Sequence, residues 1–241
     1  MFKVLVIDDE RATLTMFRLF LTAYGYEVLI AQSGRAGLDL HRTERPQIVF
    51  TDLKMPEIDG FEVLRQIKKR DPATEVVVIT GHGDMDLIVQ ALNLEAGDFI
   101  NKPVNRAALD SALKRAESRL RTPESRYPDV SMKRTSKGAV VSIRGTLNGE
   151  AKGALFASVE EALAQHADGI VFDFDPSTAV NGVGIALLTQ VLSDLRSKNT
   201  RSYLSGLSEN FIAIFDTVGI SRLAPLFDTA DDALACLAEG R

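Results

Sequence analysis

The sequence is poor in cysteine and histidine, and it has no tryptophan. Its 241 residues include one cysteine, Cys236, and three histidines. A single cysteine excludes an intrachain disulfide and a cage of thiolate ligands around a metal. His41 and His166 stand alone in helical stretches, and no metal-site spacing links them. The composition therefore gives no support to a disulfide-stabilised fold or to a zinc site.

Long apolar stretches are also missing. No run approaches the roughly 20 residues that a membrane helix requires, and the first residues, MFKVLVIDDE, carry charge too early for a signal peptide. Acidic residues (33) outnumber basic ones (28), which gives a formal net charge of −5. A mildly acidic chain argues against nucleic acid or an anionic membrane as partner. We therefore expect a soluble, cytoplasmic protein that binds neither.

The first 120 residues alternate short apolar segments with amphipathic ones. Segments rich in Val, Ile and Phe predict five strands, at 3–7, 27–31, 47–51, 75–79 and 98–100. Helical spacing lies between them, for example at Leu14, Phe17 and Leu21. Strand alternating with helix predicts an α/β fold with a doubly wound parallel sheet.

The composition changes after residue 120. Residues 121–129 contain two prolines and no apolar period, which is typical of a linker. The remainder predicts strands near 139–143, 170–174 and 202–204, and helices near 151–165, 184–197, 209–218 and 231–238. We therefore predict a first domain over 1–120, a linker over 121–129 and a second, smaller α/β domain over 130–241.

Four predicted strands of the first domain are followed by residues that suit phosphoryl chemistry. Asp8 and Asp9 come after the first strand, Asp52 after the third, Thr80 after the fourth and Lys102 after the fifth. Such positions meet at one edge of a parallel sheet. Three carboxylates together require a hard cation such as Mg²⁺, while a lysine and a hydroxyl can hold phosphoryl oxygens. We predict in-line phosphoryl transfer, with Asp52 as the nucleophile.

Each of these residues also has a plainer interpretation. Asp8 and Asp9 could cap a helix, Asp52 could cap a turn, Thr80 could end a strand, and Lys102 could be a solvated charge. Their convergence from four separate segments favours the catalytic interpretation.

The segments VLVIDDE, VFTDLKMPEIDG, VVVITGHGD and DFINKPV resemble, in that order, the receiver domain of bacterial two-component response regulators. The resemblance implies a flavodoxin-like fold with strand order 2-1-3-4-5 and phosphorylation of Asp52 by a histidine kinase. It also implies that Asp9, Asp52 and the backbone carbonyl of Lys54 bind Mg²⁺ directly, while Asp8 acts through water.

The same resemblance assigns roles around the acceptor. Thr80 and Lys102 would contact the phosphoryl oxygens, and the bond from Lys102 to Pro103 would be cis. Phe99 would be a switch residue whose rotamer follows Thr80, or simply a core phenylalanine.

Two further features follow from the resemblance. Lys54 and His82 occupy positions that tune the lifetime of an aspartyl phosphate, although solvated loop polarity explains them equally well. The oligomeric state stays open, and the fourth and fifth helices, near 84–94 and 105–120, are the candidates for pairing two copies of the chain.

The second half resembles the STAS domain of anti-sigma-factor antagonists over about residues 130–238. It contains VVSIRGTLNGE, then GIVFDFDPSTAVNGVGIALLTQVLSDLR, then SYLSGLSENFIAIFDTVGISRLAPLFDTADDAL. The resemblance implies an anti-sigma or serine-kinase-like ATPase as partner, bound at a helix start that normally presents a phosphorylatable serine. Here that stretch is Asn181, Gly182, Val183 and Gly184, which has no hydroxyl. A glycine-rich helix start capped by Asn181 is the simpler interpretation, and it still permits a binding surface.

These features predict a signalling switch that is not an enzyme beyond promoting its own phosphorylation and dephosphorylation. Phosphorylation of Asp52 would control protein binding by the second domain. One alternative is a scaffold whose receiver only modulates oligomerisation. Another is a nucleotide-binding or hydrolysing output domain, which is disfavoured because its glycine-rich loop lacks a lysine and an acidic metal ligand.

Overall fold

The computed structural model describes residues 2–81, 84–121 and 127–239. The chain divides after residue 121 into two compact units, which are described separately. Within the described residues, no helix combines the length and the apolar character needed to cross a membrane.

The first unit alternates strands and helices throughout. Its strands are β1 (Lys3–Ile7), β2 (Glu27–Ala31), β3 (Ile48–Asp52), β4 (Glu75–Thr80) and β5 (Asp98–Asn101). Its helices are α1 (Arg11–Ala23), α2 (Gly34–Glu44), α3 (Gly60–Arg70), α4 (Met85–Asn93) and α5 (Arg106–Arg121). The strands are parallel in the order β2-β1-β3-β4-β5, which confirms the predicted doubly wound sheet.

The central strands of this sheet are buried on both faces. Val4 to Ile7 of β1 and every residue of β3 and β4 are buried, as expected where helices cover both sides. Phe17 of α1 packs on Phe50 of β3 with ring centroids 5.4 Å apart. This packing fixes the positions at which the strands end.

Helix α5 is anchored to the sheet by two ion pairs whose carboxylates are buried. Arg115 Nε lies 2.6 Å from Asp98 Oδ2, and Arg119 Nε lies 2.8 Å from Glu75 Oε2. Glu75 and Asp98 are the first residues of β4 and β5, so both pairs lie at the edge opposite the strand ends. Burying these charges requires that each keep its partner.

The second unit contains a mixed sheet. Its strands are β6 (Asp129–Arg134), β7 (Ala139–Arg144), β8 (Thr146–Leu147), β9 (Gly169–Phe174), β10 (Ala179–Val180), β11 (Arg201–Ser205) and β12 (Leu226–Phe227). Its helices are α6 (Lys152–Ala164), α7 (Gly182–Ser197), α8 (Glu209–Thr217) and α9 (Ala230–Glu239). The main sheet has the order β12-β11-β9-β7-β6, with β6 antiparallel and the other pairings parallel, while β8 and β10 pair separately. A second α/β domain is therefore confirmed.

Strand β6 is a feature that the sequence pattern does not predict. It lies at the edge of the sheet, and its Asp129, Ser131, Lys133 and Arg134 are exposed. Charged residues on an edge strand deter pairing with other chains, and they also hide the apolar alternation by which strands are identified.

Candidate functional site

The carboxyl ends of β1 and β3 bring three aspartates together. Asp8 and Asp9 directly follow β1, and Asp52 is the last residue of β3. The two strands are hydrogen-bonded neighbours, with Ile7 paired to Thr51. Carboxylate oxygens of the three aspartates all lie within 4.8 Å of one another, with Asp8 and Asp52 buried and Asp9 exposed. The structure thus assembles the acidic cluster that the sequence predicts.

Lys102, one residue after β5, reaches the same cluster. Its Nζ donates a hydrogen bond to Asp52 Oδ2 at 2.7 Å and lies 3.1 Å from Asp8 Oδ2. The peptide bond from Lys102 to Pro103 is cis. Burial lowers the pKa of Lys102, but hydrogen bonds and charge attraction from Asp52 and Asp8 outweigh it, so the net shift is upward. The ammonium therefore stays charged beside the carboxylates.

The carboxylate oxygens around Asp8 suit a hard cation. Asp8 Oδ1 accepts a hydrogen bond from the Glu10 N–H at 2.8 Å, while the buried Oδ2 has Lys102 Nζ, at 3.1 Å, as its ion-pair partner. Burial raises the pKa of Asp8, with smaller opposing contributions from Glu10 and Lys102. A buried carboxylate with two more carboxylates beside it offers the oxygen ligands that Mg²⁺ prefers.

A close backbone contact holds the loop that follows Asp52. Gly60 begins α3, and its N–H donates to the Leu53 carbonyl at 3.1 Å. A Cβ atom at Gly60 would lie 2.1 Å from the Asp52 carbonyl oxygen and 2.7 Å from Leu53 Cα. Asp52 Oδ1 in turn accepts a hydrogen bond from the Lys54 N–H at 3.1 Å. Gly60 therefore helps to place Asp52.

The hydroxyl of Thr80 is already engaged. Thr80 is the buried last residue of β4, and its Oγ1 donates to Asp84 Oδ2 at 3.2 Å. The side chain of Lys54 also turns to Asp84, with Nζ 2.8 Å from Oδ2. The sequence-based assignment of the site did not include Asp84, and the only available signal was its position four residues after Thr80. His82, assigned to the same loop, lies outside the described residues.

Phe99 is buried in β5, on the same face of the sheet as Thr80. Its backbone pairs with Val78, and Thr80 pairs with Asn101 two positions on. Directly paired residues of neighbouring strands point to the same face, and that face repeats every second residue. Phe99 is thus a core phenylalanine on the face that carries Thr80, and its role as a switch residue stays a prediction.

In the second unit, the stretch that begins α7 has two faces. Asn181 Oδ1 accepts a hydrogen bond from the Gly184 N–H at 2.9 Å, which is the predicted cap. Val183 is 51% exposed, whereas Gly184 is buried and a Cβ there would lie 2.0 Å from the Leu147 carbonyl oxygen. Gly184 is thus a packing position, and Asn181, Gly182 and Val183 are the part that a partner can reach.

A separate cleft of about 370 Å³ lies where strands of the second unit end. Its lining includes Arg144 and four acidic side chains, Asp173, Asp175, Asp228 and Asp231. Asp173 is held by a hydrogen bond of 2.7 Å from Ser205 Oγ. The excess of carboxylates repels phosphates, so the cleft gives no support to the nucleotide-binding alternative.

Comparison with known proteins agrees with both halves of this description. A family model for the response regulator receiver domain matches residues 4–114, and one for the STAS domain matches residues 129–233. Transcriptional regulatory protein GlrR of Escherichia coli (strain K12) is 36% identical over 110 residues, which are 46% of this chain and 25% of GlrR. The C4-dicarboxylate transport transcriptional regulatory protein DctD of Pseudomonas aeruginosa is 31% identical over 206 residues, which are 84% of this chain and 42% of DctD. The chain thus spans less than half the length of either regulator.

Solved structures of receiver domains match one half of the chain. A response regulator receiver domain protein from Clostridium thermocellum has 37% identity and a TM-score of 0.49, covering 50% of this chain and 98% of that one. The receiver domain of NtrX from Brucella abortus has 34% identity and a TM-score of 0.46, and the match covers 50% of this chain and 99% of that one. The chain thus joins a response regulator receiver domain to a STAS domain.

Proposed function

We propose that this chain is a response regulator that accepts a phosphoryl group on Asp52 from a histidine kinase and passes the signal on through protein binding by its STAS domain. One observation carries the proposal, namely the cluster of Asp8, Asp9 and Asp52 with Lys102 Nζ placed 2.7 Å from Asp52. Structural ion pairs rarely concentrate three carboxylates around one lysine at the end of a parallel sheet, whereas phosphoryl transfer needs this combination.

The proposed step is an in-line displacement at phosphorus. A carboxylate oxygen of Asp52 attacks, the new O–P bond forms, and the P–N bond to the donor imidazole breaks. The electron pair of that bond stays on the imidazole nitrogen, which takes a proton from solvent. Lys102 donates to the phosphoryl oxygens as it leaves its present bond with Asp52, and Thr80 supplies a hydroxyl.

Asp8, Asp9, Asp52 and the carbonyl of Lys54 would hold Mg²⁺. When bound, the ion neutralises charge that develops on the phosphoryl oxygens. The chain contributes by fixing Asp8 in a buried position, and by orienting Asp52 with the Lys54 N–H.

A cleft beside Lys102 supports the approach of a donor protein to this site. This cleft of about 550 Å³ adjoins Lys102 and is lined by the first turns of α1 and the segment after β5, including Thr13, Met16, Pro103 and Val104. Its mixed polar and apolar lining suits a donor protein that presents a histidine side chain.

Acetyl phosphate tests the acceptor directly. Intact-protein mass spectrometry should show one added phosphoryl group when the full chain is incubated with acetyl phosphate and Mg²⁺, and no addition after chelation. The Asp52→Asn variant should stay unmodified, and Asp59→Asn, which alters an aspartate of the next loop, should still be modified. Equal labelling of the Asp52→Asn variant would refute the proposal.

The STAS domain supplies the output in this proposal, and the chain acts in the cytoplasm without enzymatic activity on other molecules. Its helix start has no hydroxyl to phosphorylate between residues 181 and 184. Control by a phosphate at that position is therefore replaced by control from Asp52. The partner is a protein of the anti-sigma or serine-kinase-like ATPase class, which contacts Asn181, Gly182 and Val183.

Two exposed valines allow a matched test of this surface. Val183→Glu places a charge on the proposed contact, while Val218→Glu alters a valine of similar exposure after α8. Calorimetry with an anti-sigma-type ATPase from the same genome should show loss of binding only for Val183→Glu. Binding should also differ between protein treated with beryllium fluoride and untreated protein. If neither Val183→Glu nor beryllium fluoride changes the affinity for the ATPase, the proposed output is contradicted.

A further inference from the structure

Asp84 stands at a helix start but does not cap the helix. It directly precedes α4, where an aspartate normally accepts a hydrogen bond from the backbone N–H groups of the first turn. Its side chain makes no such bond. The carboxylate folds back to the end of β4, where a Cβ atom on Gly81 would lie 3.1 Å from Asp84 Oδ2.

This carboxylate binds two residues of the phosphorylation site. Thr80 Oγ1 donates to Asp84 Oδ2 at 3.2 Å, and Lys54 Nζ lies 2.8 Å from Oδ2 and 3.1 Å from Oδ1. Asp84 therefore connects the loop after Asp52 with the end of β4.

The hydroxyl of Thr80 has a single proton to donate. While that proton is directed to Asp84, it is not available to a phosphoryl oxygen on Asp52. The two hydrogen bonds are alternatives, and a site phosphorylated on Asp52 must break the first to form the second. The N–H groups in the first turn of α4 then offer the Asp84 side chain the capping bond that it lacks.

We propose that Asp84 is a positioning residue that holds the Thr80 hydroxyl while Asp52 is unmodified, releases it on phosphorylation, and then caps α4. This inference rests on the proposed function of Asp52. It gives α4 two arrangements, distinguished by which donors Asp84 accepts from, and the phosphoryl group selects between them.

The test uses the chain of 241 residues and measures its affinity for beryllium fluoride, a mimic of the phosphoryl group, by calorimetry at saturating Mg²⁺. Asp84→Asn keeps a side chain that caps helices well but weakens the hold on Thr80 and Lys54. We expect it to bind the mimic about three- to tenfold more tightly than the wild type. Asp84→Ala loses the later cap as well, so its gain should be smaller. Affinity for Mg²⁺ alone should be unchanged.

Two controls distinguish release of the Thr80 hydroxyl from the mere loss of a negative charge. Asp86→Asn removes a negative charge from the same turn and should leave the affinity unchanged. In a Thr80→Val background, Asp84→Asn should have no effect, because no hydroxyl remains to be released. Equal tightening in that background, or none in the wild-type background, would overturn the inference. Failure of the wild type to bind beryllium fluoride would instead refute the proposed function, and the inference with it.

Discussion

The close contact at Gly60 makes a quantitative prediction. In Gly60→Ala, the new methyl group would lie 2.1 Å from the Asp52 carbonyl oxygen and 2.7 Å from Leu53 Cα. Both are backbone atoms of a buried segment, so neither can move aside as a flexible side chain would. Overpacking of this kind costs about 3 kcal/mol, whereas the gain in helix propensity from glycine to alanine is at most about 1 kcal/mol. We expect a net loss of about 2 kcal/mol in the free energy of unfolding.

Chemical denaturation followed by far-UV circular dichroism measures this loss. Gly153→Ala is the matched control, because Gly153 lies in α6 and a Cβ there meets nothing within 4 Å. The control should gain about 0.5–1 kcal/mol in the second unit, while Gly60→Ala weakens the first. Because the displaced atom belongs to Asp52, Gly60→Ala should also be phosphorylated more slowly by acetyl phosphate. Wild-type stability together with a wild-type rate would refute the reasoning.

Further predictions concern buried and capping groups. Burial lowers the pKa of His41 from its ordinary 6.5. Below about pH 6.5 the unfolded chain therefore takes up a proton that the folded chain does not, and the free energy of unfolding should fall from pH 7 to pH 5. Thermal melts at several pH values should show a smaller fall for His41→Gln. Arg119→Met leaves the Glu75 carboxylate buried without its cation and should cost about 3–5 kcal/mol, much of which Glu75→Gln should restore in the double variant. Asn181→Ala removes the cap of α7 and should cost about 1 kcal/mol in denaturation, whereas Asn181→Asp should cost little; equal losses would show that the cap is not the cause.

The parallel sheet of the first domain could be predicted because its strands are buried on both faces. A continuous run of Val and Ile, such as that of β4, is typical of a strand covered on both faces. Each predicted strand end lies within one residue of the strand end in the structure. One of these differences affects the site, because β3 extends to include Asp52. Once the strands were placed, topology alone brought Asp8, Asp52 and Lys102 together.

The role of Asp84 could not be predicted in the same way. An aspartate before a helix ordinarily indicates a cap, and only the fold shows that its side chain turns to Thr80 and Lys54 instead. The tight approach of Gly60 to Asp52 is likewise a tertiary contact, and a glycine after an aspartate looks the same in any turn.

The second domain was harder to predict because several strands are short or polar. β8, β10 and β12 have two residues each, which is too few for any periodicity. In the edge strand β6 only Val130 and Met132 alternate with polar residues before two charged residues, which is a weak signal. The longer, apolar β9 and α7 were recognisable because their buried residues supply a strong signal.

Peptide mapping of the phosphorylated chain tests the central claim most directly. After incubation with acetyl phosphate and Mg²⁺, the peptide that contains Asp52 should carry the added phosphoryl group, and peptides from the second domain should not. A phosphoryl group found on any other residue, with the Asp52 peptide unmodified, would contradict the account.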